Sequence, residues 1–341
     1  MAASARVVVV GSLNVDSTSY VETFPAPGET ILSHAFQVAL GGKGSNQAVA
    51  AHVAGASVDL VARIGADAAG DFALATLERL GVPTNAIDRE TDAPTGVAQI
   101  TVADSGENTI IVTGGANLAL TPAVVDAERD RVAAASVVLT QGELPVATIE
   151  RLAGVADEAG ARFVLNLAPP APVSGATLRS ADPLVVNEHE ARAVGIAPAA
   201  DAAAAADAAD DTRDPDAAGG PIDAWRAAAA SAVGRVARSV VVTLGPAGAV
   251  AAASDGSWVA AAPRVDAVDT TGAGDGFTGA LAAMLAEGRS LDEAVRVAVA
   301  AGALAVQARG TVDSYAGRAA VLRAAGLADA PPAGDAPEGS A

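Results

Sequence analysis

The stretch "DTTGAGDGFTGA", Asp269 to Ala280, puts one carboxylate, Asp275, directly behind Gly272-Ala273-Gly274 and ahead of an apolar run of helical pattern. An anion at a helix start complements the exposed N–H groups and the dipole, so a cap alone would account for Asp275. The glycines open a second reading. Freed of side chains at Gly272 and Gly274, the N–H groups from Gly272 to Asp275 would form an outward-pointing array suited to a phosphate. A carboxylate within such an array repels the anion, and the conflict disappears if Asp275 acts on a hydroxyl that attacks the phosphate.

Other residues offer partners for that chemistry. The first apolar run leads into "GSLNVD", where Asn14 and Asp16 share one face if the chain is extended. They are ordinary turn formers, and they are also an amide and a carboxylate able to bind adjacent hydroxyls of a sugar. In "GGKGSNQAVAAHVAGA", Gly41 to Ala56, the run Gly41-Gly42-Lys43-Gly44-Ser45 precedes Asn46 and an Ala-rich helix. Lys43 is followed by Gly44, so this is not a Walker loop, and the first strand does not open a G-x-G-x-x-G fingerprint. What remains is a flexible loop capped by Asn46, or a bare backbone that a polar ligand can approach closely.

Two further strand ends carry polar residues. "LVVNEHE" sets Asn187 and Glu190 at capping-box spacing, which explains them without a ligand. His189, His34 and His52 lack zinc spacing. "VVVTLGPAGAV" ends a buried strand at Thr243 and turns through Leu244, Gly245, Pro246, Ala247 and Gly248, a tight turn or a loop that receives a nucleotide.

The elements that must position these groups follow from the pattern. Short β-branched runs at Arg6–Val10, Val58–Ile64, Ser136–Thr140, Arg162–Leu167, Leu184–Val186 and Ser239–Leu244 alternate with Ala- and Leu-rich helical stretches. That rhythm predicts an α/β fold whose mainly parallel sheet is covered on both faces. The segments Leu13–Val38 and Pro94–Val112 break the rhythm and read as antiparallel strands forming a lid. A single unit over residues 1–327 is expected, with a solvated Ala/Asp-rich insertion at 197–221 and a disordered tail at 328–341.

Composition narrows the functions. A net charge of −19 over 341 residues opposes binding to nucleic acid or an anionic membrane. Without cysteine there is no thiolate metal site, so any metal must take oxygen ligands. Arg6 before Val7–Val10 is too short a pattern for a signal peptide, and no run reaches the roughly 18 apolar residues of a membrane span, so a cytoplasmic location is expected.

Taken in order, "GSLNVD", "FPAPGET", "GGKGSNQA", "NTIIVTGGAN", "QGE" ending at Glu143, "NEHEA", "TLGPAG" and "DTTGAGD" resemble the ribokinase family of carbohydrate kinases, from about Arg6 to Ser314. The resemblance implies a three-layer α/β/α fold with a small β-sheet lid. It implies transfer of phosphate from ATP to a sugar hydroxyl, D-ribose first, with Mg2+ on the phosphates and K+ as a monovalent activator. Asn14, Asp16, Gly42, Lys43, Gly44, Ser45, Asn46 and Glu143 would bind the sugar. Asp275 would be the base, beside an anion hole at Gly272, Ala273 and Gly274.

ATP would fall to Asn187, the Thr243–Gly248 turn, Gly274 and Asp275, with Glu190 near the metal-bound phosphates. The monovalent cation would fall to Asp269, Thr271, Ala305, Ala308, Gly310 and Ser314. The family further suggests a homodimer in which lid strands of two chains cover each other's sites. This chain departs from it in the long insertion before Trp225 and in apolar Val299, where relatives often place a polar residue near the adenine. A related kinase for another sugar, deoxyribose or a nucleoside, or a sugar sensor without catalysis, are the other readings.

Overall fold

The computed structural model describes residues 5–199 and 221–327; the Ala/Asp-rich stretch expected as an insertion and the expected tail fall almost wholly outside them. The main sheet runs in the order β13 (Gly256–Ala260), β12 (Ala249–Ala253), β11 (Val240–Thr243), β10 (Leu184–Asn187), β9 (Arg162–Asn166), β8 (Val137–Gln141), β1 (Arg6–Val10), β4 (Ser57–Gly65) and β5 (Ile87–Glu90). Pairing is parallel from β11 through β5, and β12 and β13 form an antiparallel edge.

Period-two alternation explains the three layers. Val7 and Val9 of β1 join one core with the helices Lys43–Val53, Ala273–Ala286 and Leu291–Ala305, while Val8 and Val10 join a second core with Val146–Ala159 and Pro221–Ala232. All four valines are fully buried, as a sheet covered on both faces requires. The strand order reverses around β1, which lies between β4 and β8. A crevice therefore opens past the carboxyl ends of β1 and β8, the usual ligand position in such sheets.

The second sheet has the order β3 (Ala35–Gly41), β2 (Asn14–Val21), β6 (Gly96–Ala103) and β7 (Asn108–Thr113). Its outer pairs are antiparallel as expected, but the central β2–β6 pair is parallel, so the sheet is mixed. The pattern did not announce β5, β12 or β13. In β12 the residues "AVAAA" carry helix propensity, and burial between β11 and β13 overrides it. Among the described residues no helix is long and apolar enough to cross a membrane.

The Lys43–Val53 and Ala273–Ala286 helices touch at Gly279, where an added Cβ would come within 2.5 Å of both the Ala50 Cβ and the Gln47 carbonyl oxygen. Gly279→Ala should therefore cost about 1–3 kcal/mol as overpacking, read as a lower urea midpoint. Gly154, where a Cβ would meet only Arg151 at 3.7 Å, is the control, and Gly154→Ala should be neutral or stabilising by up to about 1 kcal/mol.

Candidate active site

The chain leaves β1 through Gly11 and Ser12 and enters β2 at Asn14, so the residues of "GSLNVD" lie where the main sheet meets the small one. Gly11 and Gly44 touch backbone to backbone: a Cβ on Gly44 would sit 2.5 Å from the Gly11 carbonyl carbon. The Ser12 hydroxyl donates to a Glu143 carboxylate oxygen, and the Lys43 N–H donates to the same oxygen at 3.0 Å. These contacts pin the Lys43–Val53 helix start to the end of β1.

Gly42 caps that helix at φ 87°, a left-handed conformation that favours glycine. Ser45 is fully buried and spends its hydroxyl on the carbonyls of Gly41 and Gly42. Gly44 donates its N–H to Ser12 at 3.2 Å. Both were expected among sugar contacts, and the structure uses them to shape the loop.

Asn14 is buried and accepts from Asn117 at 2.7 Å; Asn117 also holds both backbone groups of Leu13. Asn117 closes the quoted motif "NTIIVTGGAN", yet sequence reasoning gave it no role. Asp16 faces Gly41, whose missing side chain leaves room for the carboxylate. Burial, then the nearby charges of Glu143 and Asp275, push the Asp16 carboxyl up to about 6. Oδ1 of Asp16 and Oδ1 of Asn46 are buried acceptors without a donor among the described residues, chemically able to accept from a hydroxyl.

Asp275 lies in the first turn of the Ala273–Ala286 helix and is only 6% exposed. Its Oδ2 accepts from Asn46 Nδ2 at 3.0 Å and its Oδ1 from Gln47 Nε2 at 2.8 Å. Gly272, the N-cap, is left-handed at φ 74° and walled by Thr311 and Tyr315, the latter donating its hydroxyl to the Gly272 carbonyl. Burial, then the Asp275 charge, hold the Tyr315 phenol well above its ordinary value. The Ala273 N–H is engaged by Thr270 at 3.3 Å, so the open part of the first turn begins at Gly274, where a Cβ would meet nothing within 4 Å.

Gly274 lines a cavity of about 690 Å³. Thr243, Gly245, Pro246 and Gly248 of the expected turn line it too, together with Phe277 and Val299. Its walls are mainly apolar, as a pocket for a flat aromatic base would be. Leu244, Ala247, Asn187 and Asp275 itself do not line it. Asn187 forms the capping box with Glu190, accepting from its N–H at 2.9 Å and donating its own N–H to the Glu190 carboxylate at 2.8 Å. The cap reading of that pair holds.

Lys43 stands among acids. The charge of Asp275, against the opposing effect of burial, and then those of Glu143 and Glu190 raise its ammonium above the ordinary value. Glu190 is raised chiefly by burial. Asp269 accepts from the N–H groups of Thr271 at 2.9 Å and Gly310 at 3.0 Å; burial pushes its carboxyl up, but the Thr271 side chain, these backbone hydrogen bonds and the Arg309 charge outweigh it, leaving it below the usual range. The structure thus joins three of the expected cation residues directly. Ser314 donates to the Thr311 carbonyl nearby, and Ala305 accepts from Ala308.

Residues 4–316 match the model of the pfkB family carbohydrate kinases, and the chain belongs to that family. It is 34% identical over 314 residues to a ribokinase of Haemophilus influenzae, covering 92% of this chain and 96% of that one. It is 30% identical over 313 residues to a deoxyribokinase of Salmonella typhimurium, covering 91% and 95%. The structure of Arabidopsis thaliana ribokinase complexed with ribose and ATP superposes with a TM-score of 0.82 at 30% identity, over 95% of this chain and 100% of that one.

An acid whose folded value rises from 3.8 to about 6 costs stability as pH climbs through that window, fully above 6 and not at all below 3.8. Asp16→Asn should therefore melt higher than the parent at pH 8 and equally near pH 4, measured by thermal denaturation at both.

Proposed function

We propose that this chain catalyses ATP-dependent phosphorylation of D-ribose at its 5-hydroxyl, giving D-ribose 5-phosphate and ADP. The observation that carries the reading is the position of Asp275: its carboxylate is held by Asn46 and Gln47 close enough to Asp16 for their charges to act on each other, while its neighbour Gly274 opens onto the large cavity. Sugar sits on the polar side, with Asn14, Asp16, Asn46, Lys43 and Glu143 around its hydroxyls. The nucleotide fills the cavity, base against Phe277 and Val299, phosphates at the start of the Ala273–Ala286 helix.

The hydroxyl donates its hydrogen bond to Asp275, its oxygen bonds to the γ-phosphorus, the bond to the β-phosphate oxygen breaks, and the proton passes to the carboxylate. Phosphoryl transfer has a loose transition state, so positioning and charge neutralisation supply most of the rate. Asp275 can take its proton late, and a strong base is not required.

The site sets Asp16, Glu143, Glu190 and Asp275 against Lys43, an acidic excess that repels phosphates. Buried Glu190 supplies the oxygen chemistry that Mg2+ takes, and Mg2+ supplies the neutralising charge when bound with ATP. Asp269, held as an anion by two backbone donors, fits K+ beside the helix start, with the neighbouring carbonyls of the Ala305–Gly310 turn.

Likeness to a deoxyribokinase keeps deoxyribose as the second reading. A coupled ADP-release assay over ribose, deoxyribose and nucleosides decides it: ribose should give the highest kcat/KM, and preference for another acceptor would replace it. Without ATP consumption on any of them, the chain is a sensor. Asp275→Ala should lower kcat by about 10²–10⁴ while ribose binding persists in calorimetry, and turnover within a few-fold of the parent would remove Asp275 from its role.

A homodimer also belongs to this proposal. Phe36 and Val38 on one edge strand of the small sheet and Ile110, Ile111 and Val112 on the opposite edge strand are 43–66% exposed, apolar residues on both edges suited to a second copy. Sedimentation at micromolar concentration should give a dimer, and Ile111→Glu should give a monomer. A parent that sediments as a monomer rejects it.

A further inference from the structure

We propose that Gln47 is a positioning residue for the Asp275 carboxylate, and that its own orientation is imposed by a hydrogen-bond relay anchored on one backbone carbonyl. The proposal rests on the reading of Asp275 as the base. Gln47 is fully buried, and its Nε2 donates both to Asp275 Oδ1 at 2.8 Å and to Asn166 Oδ1 at 2.9 Å. Asn166 Nδ2 in turn donates to the Val185 carbonyl at 3.1 Å, and Gln141 Nε2 donates to Gln47 Oε1 at 2.8 Å.

The polarity of this chain is forced. A backbone carbonyl only accepts, so Asn166 must turn its amide nitrogen to Val185 and its oxygen to Gln47. Gln47 must then answer with its nitrogen, which is the end that also reaches Asp275. Its oxygen is left to receive Gln141. Flipping any amide would set like poles together among buried groups, where an unmatched polar group is costly; only Gln141 Oε1, at the outer end of the relay, is left without a partner among the described residues.

Sheet register assembles the relay. Gln141 of β8 lies opposite Asn166 of β9, and Asn166 lies opposite Val185 of β10. The ends of three neighbouring strands thus fix the angle of a carboxylate on a helix above them. Asn46 steadies the other oxygen and faces the sugar side; Gln47 carries no such second duty.

The test compares Gln47→Met, Asn166→Leu and Asp275→Asn with the parent in steady-state turnover of ribose and ATP, with ribose binding by calorimetry as a check on the pocket. Gln47→Met keeps the volume and removes the donor. Its kcat should fall about 10–100-fold with the ribose KM within three-fold, the cost of a misplaced reacting group. Asn166→Leu, which touches neither Asp275 nor substrate and serves if Gln47→Met fails to fold, should lower kcat about 3–10-fold with KM unchanged. The proposal is overturned if the variants keep kcat within two-fold while Asp275→Asn is inactive, or if their loss lies in KM alone. If Asp275→Asn turns over nearly as well as the parent, the base reading fails and the positioning role falls with it.

Discussion

A carboxylate taken out of water needs hydrogen-bond donors that replace the solvent. Asp275 meets that condition through Asn46 and Gln47, consecutive residues in the opening turns of one helix. Much of the remaining architecture serves that contact. The Lys43–Val53 helix must approach the Ala273–Ala286 helix closely, which Gly279 permits, and its start must be fixed to the end of β1, which Gly11, Gly44, Ser12 and Glu143 accomplish. Had either helix carried a larger side chain at the crossing, the donors would stand away from the carboxylate.

The same helix start separates two environments. On one side lie buried amides and carboxylates with acceptor oxygens left over, a setting for a polyol; on the other lies a wide apolar cavity reached by an open helix terminus. A reaction between a hydroxyl and a phosphate needs such a border, because the groups that bind one reactant repel or ignore the other. The reversal of strand order at β1 creates the crevice, and the mixed sheet rising from β2 and β3 supplies its polar wall through Asn14, Asp16 and Gly41.

The fold was legible wherever one force dominated. Valine-rich β1, β8, β10 and β11 could only be buried strands, and the alternation of Val7 and Val9 with Val8 and Val10 into separate cores is the three-layer arrangement in miniature. Where forces opposed each other composition was less direct: "AVAAA" is β12 because its neighbours in the sheet outweigh alanine's helical preference. In the site, glycines beside polar residues marked Asp275, Asn46 and Asp16. The same signal singled out Ser45, whose hydroxyl bonds within the loop, and Gly44, whose N–H reaches Ser12, and it passed over Gln47, Asn117 and Asn166, amides that no local pattern distinguishes from caps or surface residues.

The sequence by itself determined the chemistry available: a carboxylate at a helix start stripped of side chains, an amide and an acid at a strand end, an acidic chain without cysteine, and hence the family. Those are properties of neighbours along the chain, where spacing of a few residues dictates which groups share a turn or a face. Only the tertiary structure decided which groups meet. Asp275 is 228 residues from Gln47 and Asp16 must find room against Gly41 across a strand pair, and such contacts depend on helix crossings and sheet register summed over the whole core. A shift of one residue in register would turn every side chain of a strand to the other face and leave the same motifs without a site.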